Sequence, residues 1–293
     1  MHHPAKKKRK DNNRGGNSFY IIAVLIALAG VWFYISFIAQ PYVGGSLVVH
    51  FIDVGHGDAT LIRTGEGHVL IDGGDAQAGP VVVRHLRNAG VRSIEYVIAT
   101  NPHVDNRAGG LADVLGEFGV GTIVVPRMAH SSAAFDTLVG AAGENGIPVR
   151  ESAAGDAIVM GDAVFTVVAP GSSGDANPED HSLSLLLSYG EIRFLFAGDA
   201  RGAAEAEMLE RGQALSAQML RVGGHGSDAG TTGPFLEAVS PLVAIISVGA
   251  GNPFGYPRGE LLGRLETAGV RVYRTDRHGT ITASTNGRTI TIR

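Results

Sequence analysis

Residues 94–100 read as an apolar β-strand, and the strand runs without a break into Asn101-Pro102-His103-Val104-Asp105-Asn106. This junction limits the fold more than any other stretch of the chain. Alternate side chains of an extended segment project to one side, so the polar residues at its end share one cleft. His and Asp in such a place are how many hydrolases present ligands to metal ions.

Other apolar strands end in similar turns. Residues 51–58 (FIDVGHGD), 70–74 (LIDGG), 181–187 (HSLSLLL), 196–200 (FAGDA), 222–227 (VGGHGS) and 246–249 (ISVG) follow one another along the chain. In this order they resemble the metallo-β-lactamase superfamily, and within it the C-terminal domain of ComEC-type competence proteins. The resemblance runs from about Leu47 to the C-terminus. It implies an α/β fold, a four-layer αββα sandwich in which two sheets pack face to face and helices cover both outer faces.

Ahead of that domain, residues 19–39 form an uncharged apolar run long enough to cross about 30 Å of hydrocarbon as a helix. Phe19, Tyr20, Trp32, Phe33, Tyr34 and Phe37 lie toward its ends, where rings settle at headgroup level. The tail before it holds Lys6, Lys7, Lys8, Arg9, Lys10 and Arg14. Positive residues beside a span stay inside, so a single-pass cell-membrane protein is expected, with residues 1–18 cytoplasmic and the large domain outside. A basic run can also be a nucleic-acid or targeting patch, but the adjoining span accounts for it. A cleaved leader would carry a shorter apolar run of about 7–15 residues. Residues 40–46 read as a linker and 47–293 as the folded domain.

The chain has no cysteine, which removes disulfides and thiolate chemistry and leaves His, Asp and water. Its net charge is −4; the six basic tail residues against Asp11 contribute +5, so the remainder carries about −9. That is a poor profile for gripping DNA by its phosphates.

Along the domain, strands are expected at 47–53, 59–64, 68–71, 94–100, 121–125, 163–169, 182–189, 192–197, 217–222 and 243–248. Helices are expected at 80–88, 107–118, 131–145, 201–211, 232–239 and 257–267, with three short strands closing the chain.

The superfamily signature at the 101–106 loop is H-x-H-x-D-H, so Asn101 and Asn106 stand where two histidines would be. Gly224 and Tyr256 replace histidines of two further family segments. The resemblance implies one metal position at Asn101 and His103, a second at Asp105 and Asn106, a bridging Asp199, and His225 as a surviving ligand. Asp105 and Asp199 are the implied catalytic carboxylates. His181 is either a replacement ligand or a strand-edge residue. Ser227 and Asn252 either touch substrate or cap turns, while Asp53, Asp58 and Asp72 shape the glycine-rich turns and His56 takes a loop role.

Such an oxygen-rich remnant suits one Mn²⁺, Mg²⁺ or Ca²⁺ ion better than a dinuclear zinc centre, or it holds no ion at all. Two functions follow. One is a membrane-anchored extracytoplasmic hydrolase, a metal-dependent phosphodiesterase or nuclease, with nucleic acid implied by the resemblance alone. The other is a degenerate, non-catalytic module that keeps the fold and binds a ligand or protein partner.

Overall fold

The computed structural model describes residues 46–101, 105–127, 133–171 and 181–293. The basic tail, the apolar run 19–39 and the linker up to residue 45 lie outside the described residues, as does His103. The side chains of Asp105 and Asn106 lie outside them too. Among the described residues no helix is long and apolar enough to cross a membrane.

The chain folds into two mixed sheets. In the first, strands run in the order β15-β14-β1-β2-β3-β4-β5-β6, built from β1 (Leu47–Phe51), β2 (Thr60–Thr64), β3 (Gly67–Ile71), β4 (Ser93–Ile98), β5 (Gly119–Pro126), β6 (Val149–Ser152), β14 (Ile281–Thr285) and β15 (Ile290–Ile292). The second has the order β13-β12-β11-β10-β9-β8-β7, from β7 (Ala157–Met160), β8 (Ala163–Ala169), β9 (Ser184–Tyr189), β10 (Ile192–Phe196), β11 (Met219–Arg221), β12 (Val243–Ile246) and β13 (Arg271–Arg274). Each sheet is antiparallel on one side and parallel on the other. The change falls at β3, which pairs antiparallel with β2 and parallel with β4, and at β10, which pairs antiparallel with β9 and parallel with β11.

The period-2 pattern explains the layering. In β1, Leu47, Val49 and Phe51 are buried while Val48 and His50 are half-buried. The buried set joins Ile62, Phe165, Leu185 and Phe194 in the core between the sheets. A second core lies outside the first sheet, under α1 (Gly79–Asn88), α3 (Leu111–Glu117) and α4 (Ala133–Glu144), where Leu61 and Leu70 meet Val82, Leu86 and Leu138. A third lies outside the second sheet, under α5 (Gly202–Glu210), α6 (Gly233–Val239) and α7 (Gly259–Thr267), and includes Leu195, Met208, Phe235 and Leu261. The expected αββα sandwich is therefore present.

Two local expectations change. The helix expected at 107–118 is two short ones, α2 (Asp105–Ala108) and α3, broken at Gly110. A Cβ on Gly110 would lie 2.2 Å from the Gly73 carbonyl oxygen, so the chain turns where only glycine fits. Strands β6 and β7 were not expected; each is a four-residue edge strand, too short to show a period. A single turn, α8 (Thr275–His278), separates β13 from β14.

Candidate functional site

The parallel strands of both sheets end on one cluster of charge, as ligand sites of open α/β sheets do. Asp72 follows β3, Thr100 and Asn101 follow β4, Asp199 follows β10, Arg221 ends β11, and His225 lies in the tight turn Gly224–Gly226 after it. Asp72 (φ 59°) and His225 (φ 54°) both hold left-handed backbone conformations, which side chains other than glycine's adopt at a cost.

Arg107, from α2, occupies the middle and is fully buried. Its Nε donates to Asp199 Oδ2 at 2.5 Å, and its Nη2 donates to Asp199 Oδ1 and, at 3.0 Å, to the Gly198 carbonyl. Nη1 lies 3.0 Å from Asp72 Oδ2 and 2.6 Å from Asp58 Oδ2. Arg221 pairs with Asp58 through Nη2, and its Nη1 donates to the same Gly198 carbonyl at 3.0 Å. Gly198 presents that carbonyl from φ +59°, with Ser182 Oγ 2.4 Å from where a Cβ would stand. Asp72 also receives the Thr100 N–H and hydroxyl, each at 2.7 Å.

These contacts set the protonation states. Burial works against the Asp199 charge, but the Arg107 guanidinium overrides it and holds the carboxyl below its usual range. Burial pushes Asp72 up to about 6 against the pull of Arg107 and Thr100. Burial opposes the charge on Arg107 as well, yet Asp199 and Asp72 carry its pKa above the ordinary arginine value. Burial draws Arg221 down to about 9, still charged at neutral pH. His225 is held well below its usual value by burial and then by Arg107, so its ring is neutral. Its Nδ1 lies 3.1 Å from the Ser247 carbonyl, a contact that places the ring proton on Nδ1.

The residues singled out in the sequence divide. Asp199, Asn101 and His225 come together: Asn101 Nδ2 donates to Asp199 Oδ2 at 3.3 Å, and His225 Nδ1 is 3.4 Å from Asp58 Oδ2. His181 is half-buried just before β9. Ser227 closes the turn after β11 through its own N–H to Gly224 O at 2.9 Å. Asn252 braces its loop, donating to Gly249 O and Tyr256 O and accepting from Tyr256 N. Phe254 stacks on Tyr256 and on His56, and the His56 ring in turn lies 4.6 Å from the His225 ring. The residues that sequence reasoning missed are the two arginines. Arg221 had left a signal, a charge inside the apolar strand expected at 217–222.

The superfamily model for metallo-beta-lactamases matches residues 52–250. The chain belongs to the metallo-β-lactamase superfamily. Among curated proteins it is 29% identical over 252 residues to ComE operon protein 3 of Bacillus subtilis, covering 80% of this chain and 32% of that protein. It is 26% identical over 261 residues to Competence protein ComA of Neisseria gonorrhoeae, covering 88% and 35%. The chain thus spans about a third of the length of these relatives. Among solved structures, CmlA, described as a diiron β-hydroxylase from Streptomyces venezuelae, superposes with a TM-score of 0.52 at 16% identity, covering 80% of this chain and 53% of that one. The metallo-β-lactamase fold protein YhfI from Bacillus subtilis gives 0.52 at 10%, covering 82% and 100%. Both likenesses establish the fold alone.

Metals are bound by proteins of this superfamily, but the described donors of this chain do not fit one. No three His, Cys, Asp or Glu side chains among the described residues are grouped to hold an ion. Both oxygens of Asp199 face Arg107, Asp58 sits between two guanidiniums, and Asn101 turns an N–H rather than an oxygen toward Asp199. A cation added beside Arg107 and Arg221 would meet their charge at short range in a medium that screens poorly.

Proposed function

We propose that this chain is a non-catalytic metallo-β-lactamase-fold module that binds a ligand or protein partner at the outer face of a membrane, tethered by residues 19–39 with the basic tail inside. The observation that carries this reading is Arg107: its guanidinium holds both oxygens of Asp199, the bridging carboxylate a hydrolytic metal pair would need. Beside the closed cluster a cavity of about 790 Å³ stays open, lined by Asp53, His56, Arg84, Asn252 and Asp276. That is where a binding partner would enter. Likeness to curated relatives named for competence supports a competence-type assembly as the module's setting, and its acidic domain favours a partner other than the DNA phosphates.

The full chain, incubated with Mn²⁺, Mg²⁺ or Zn²⁺ and single-stranded DNA, double-stranded DNA or bis(p-nitrophenyl) phosphate, is expected to show no metal-dependent turnover. Turnover that Asp199→Asn abolishes would overturn the proposal in favour of a hydrolase.

A further inference from the structure

Resting on that reading, we propose that Arg107 and Arg221 together take the structural place of a divalent cation, fastening the strand ends of the two sheets through Asp58, Asp72 and Asp199. Charge is the first argument. Three carboxylates and two guanidiniums sum to −1 beside a neutral His225, and the same carboxylates around one divalent ion would also sum to −1. Position is the second. Asp58 and Asp72 lie on loops of the first sheet and Asp199 follows β10 of the second, and Arg107 touches all three. Burial is the third. Arg107 is 0% exposed, Arg221 4%, and the three aspartates 2%, 1% and 8%, so none of these charges is left to solvent.

The planar guanidinium suits this place better than an ammonium group. It reaches both Asp199 oxygens as a fork while its third nitrogen serves Asp72 and Asp58. Arg221 adds the second charge and shares the Gly198 carbonyl with Arg107. Take Arg107 away, and the space it leaves is walled by oxygens of Asp58, Asp72, Asp199 and the Gly198 carbonyl, a donor set for a hard divalent ion such as Mn²⁺.

Thermal unfolding of the full chain tests this with Arg107→Ala and with Arg107→Ala/Asp199→Asn, each in EDTA and in MnCl₂. The wild-type Tm should be the same in both solutions. Arg107→Ala should unfold roughly 10 °C lower in EDTA, and Mn²⁺ should recover much of that loss by binding the folded state alone. The double variant should unfold above Arg107→Ala in EDTA and lose the Mn²⁺ response. If Arg107→Ala does not fold in EDTA, folding in Mn²⁺ and folding of the double variant without metal are the same two readouts. A wild-type Tm for Arg107→Ala, or a lowered Tm that neither Mn²⁺ nor Asp199→Asn raises, overturns the inference. Metal-dependent turnover by the wild-type chain would instead overturn the non-catalytic reading, so the two failures are distinct.

Discussion

The strand-end cluster of Arg107, Arg221, Asp58, Asp72 and Asp199 and the histidine cluster beneath α1 solve the same problem, titratable groups away from water, in opposite ways. The first keeps its charges and pairs them. The second gives its charges up: His50 of β1 and His85 of α1 meet edge-on at 5.1 Å, Thr282 Oγ1 lies 3.4 Å from His50 Nδ1, and Arg63 of β2 adds a positive field. Burial, with His85 and Arg63, brings His50 down to about 3, and burial and Arg63 lower His85 as well. What separates the two is the company. Three carboxylates around Arg107 compensate a buried cation, whereas beside Arg63 an imidazole avoids the cost only by staying neutral.

The largest effect should come from breaking the paired cluster at its shared member. Asp58 touches both Arg107 and Arg221, so Asp58→Ala leaves two buried guanidiniums short of a partner. A loss of about 3–5 kcal/mol is expected, read as a lower urea midpoint at unchanged slope.

An intermediate effect should come from acid. A histidine whose folded pKa lies below its unfolded value binds fewer protons when folded, so its contribution is lost as pH falls below 6.5 toward the folded value. For His50 the loss between pH 7 and pH 5 is on the order of 2 kcal/mol. Asp72, with its carboxyl raised to about 6, gains stability on acidification over the same range. The difference between wild type and His50→Leu therefore isolates the histidine: the variant should lose less stability from pH 7 to 5. Equal pH dependence in the two proteins would refute the neutral-imidazole account.

The smallest effect marks the contrast with solvent-exposed pairs. Arg87 and Glu117 form an ion pair with 60% and 46% of their side chains exposed. Glu117→Ala should cost less than about 1 kcal/mol, and a double-mutant cycle with Arg87→Ala should show a coupling of the same small size.

Much of the fold was legible. The period-2 strands, glycine-terminated helices and turn-bound aspartates pointed to two sheets with outer helices, and both sheets and all three cores follow that pattern. Strands β6 and β7 escaped because four residues on an edge carry no readable period, and the helix at 107–118 hid its break because glycine is tolerated in a helical pattern as well as required at a turn. The candidate site was legible as a place and not as a mechanism. Asp199, Asn101 and His225 do converge, and Asp72 does brace the loop at Thr100, whereas Asp58 pairs with the two arginines instead of its own loop. The occupant was missed because an arginine at a helix start reads as a solvated charge. Only tertiary packing turns Arg107 inward, 92 residues along the chain from Asp199.

That separation has a kinetic side. β3 and β10, the strands where each sheet changes from antiparallel to parallel, lead into Asp72 and Asp199, and Arg107 joins both. The pairs β2–β3, β7–β8, β9–β10 and β14–β15 can form as short hairpins, but the junction of the two carboxylates requires both sheets to be in register first, with the long loops already closed. Arg107 is therefore expected to close late, so that Arg107→Ala speeds the parting of the two sheets more than it slows their meeting, as unfolding and refolding rates would show.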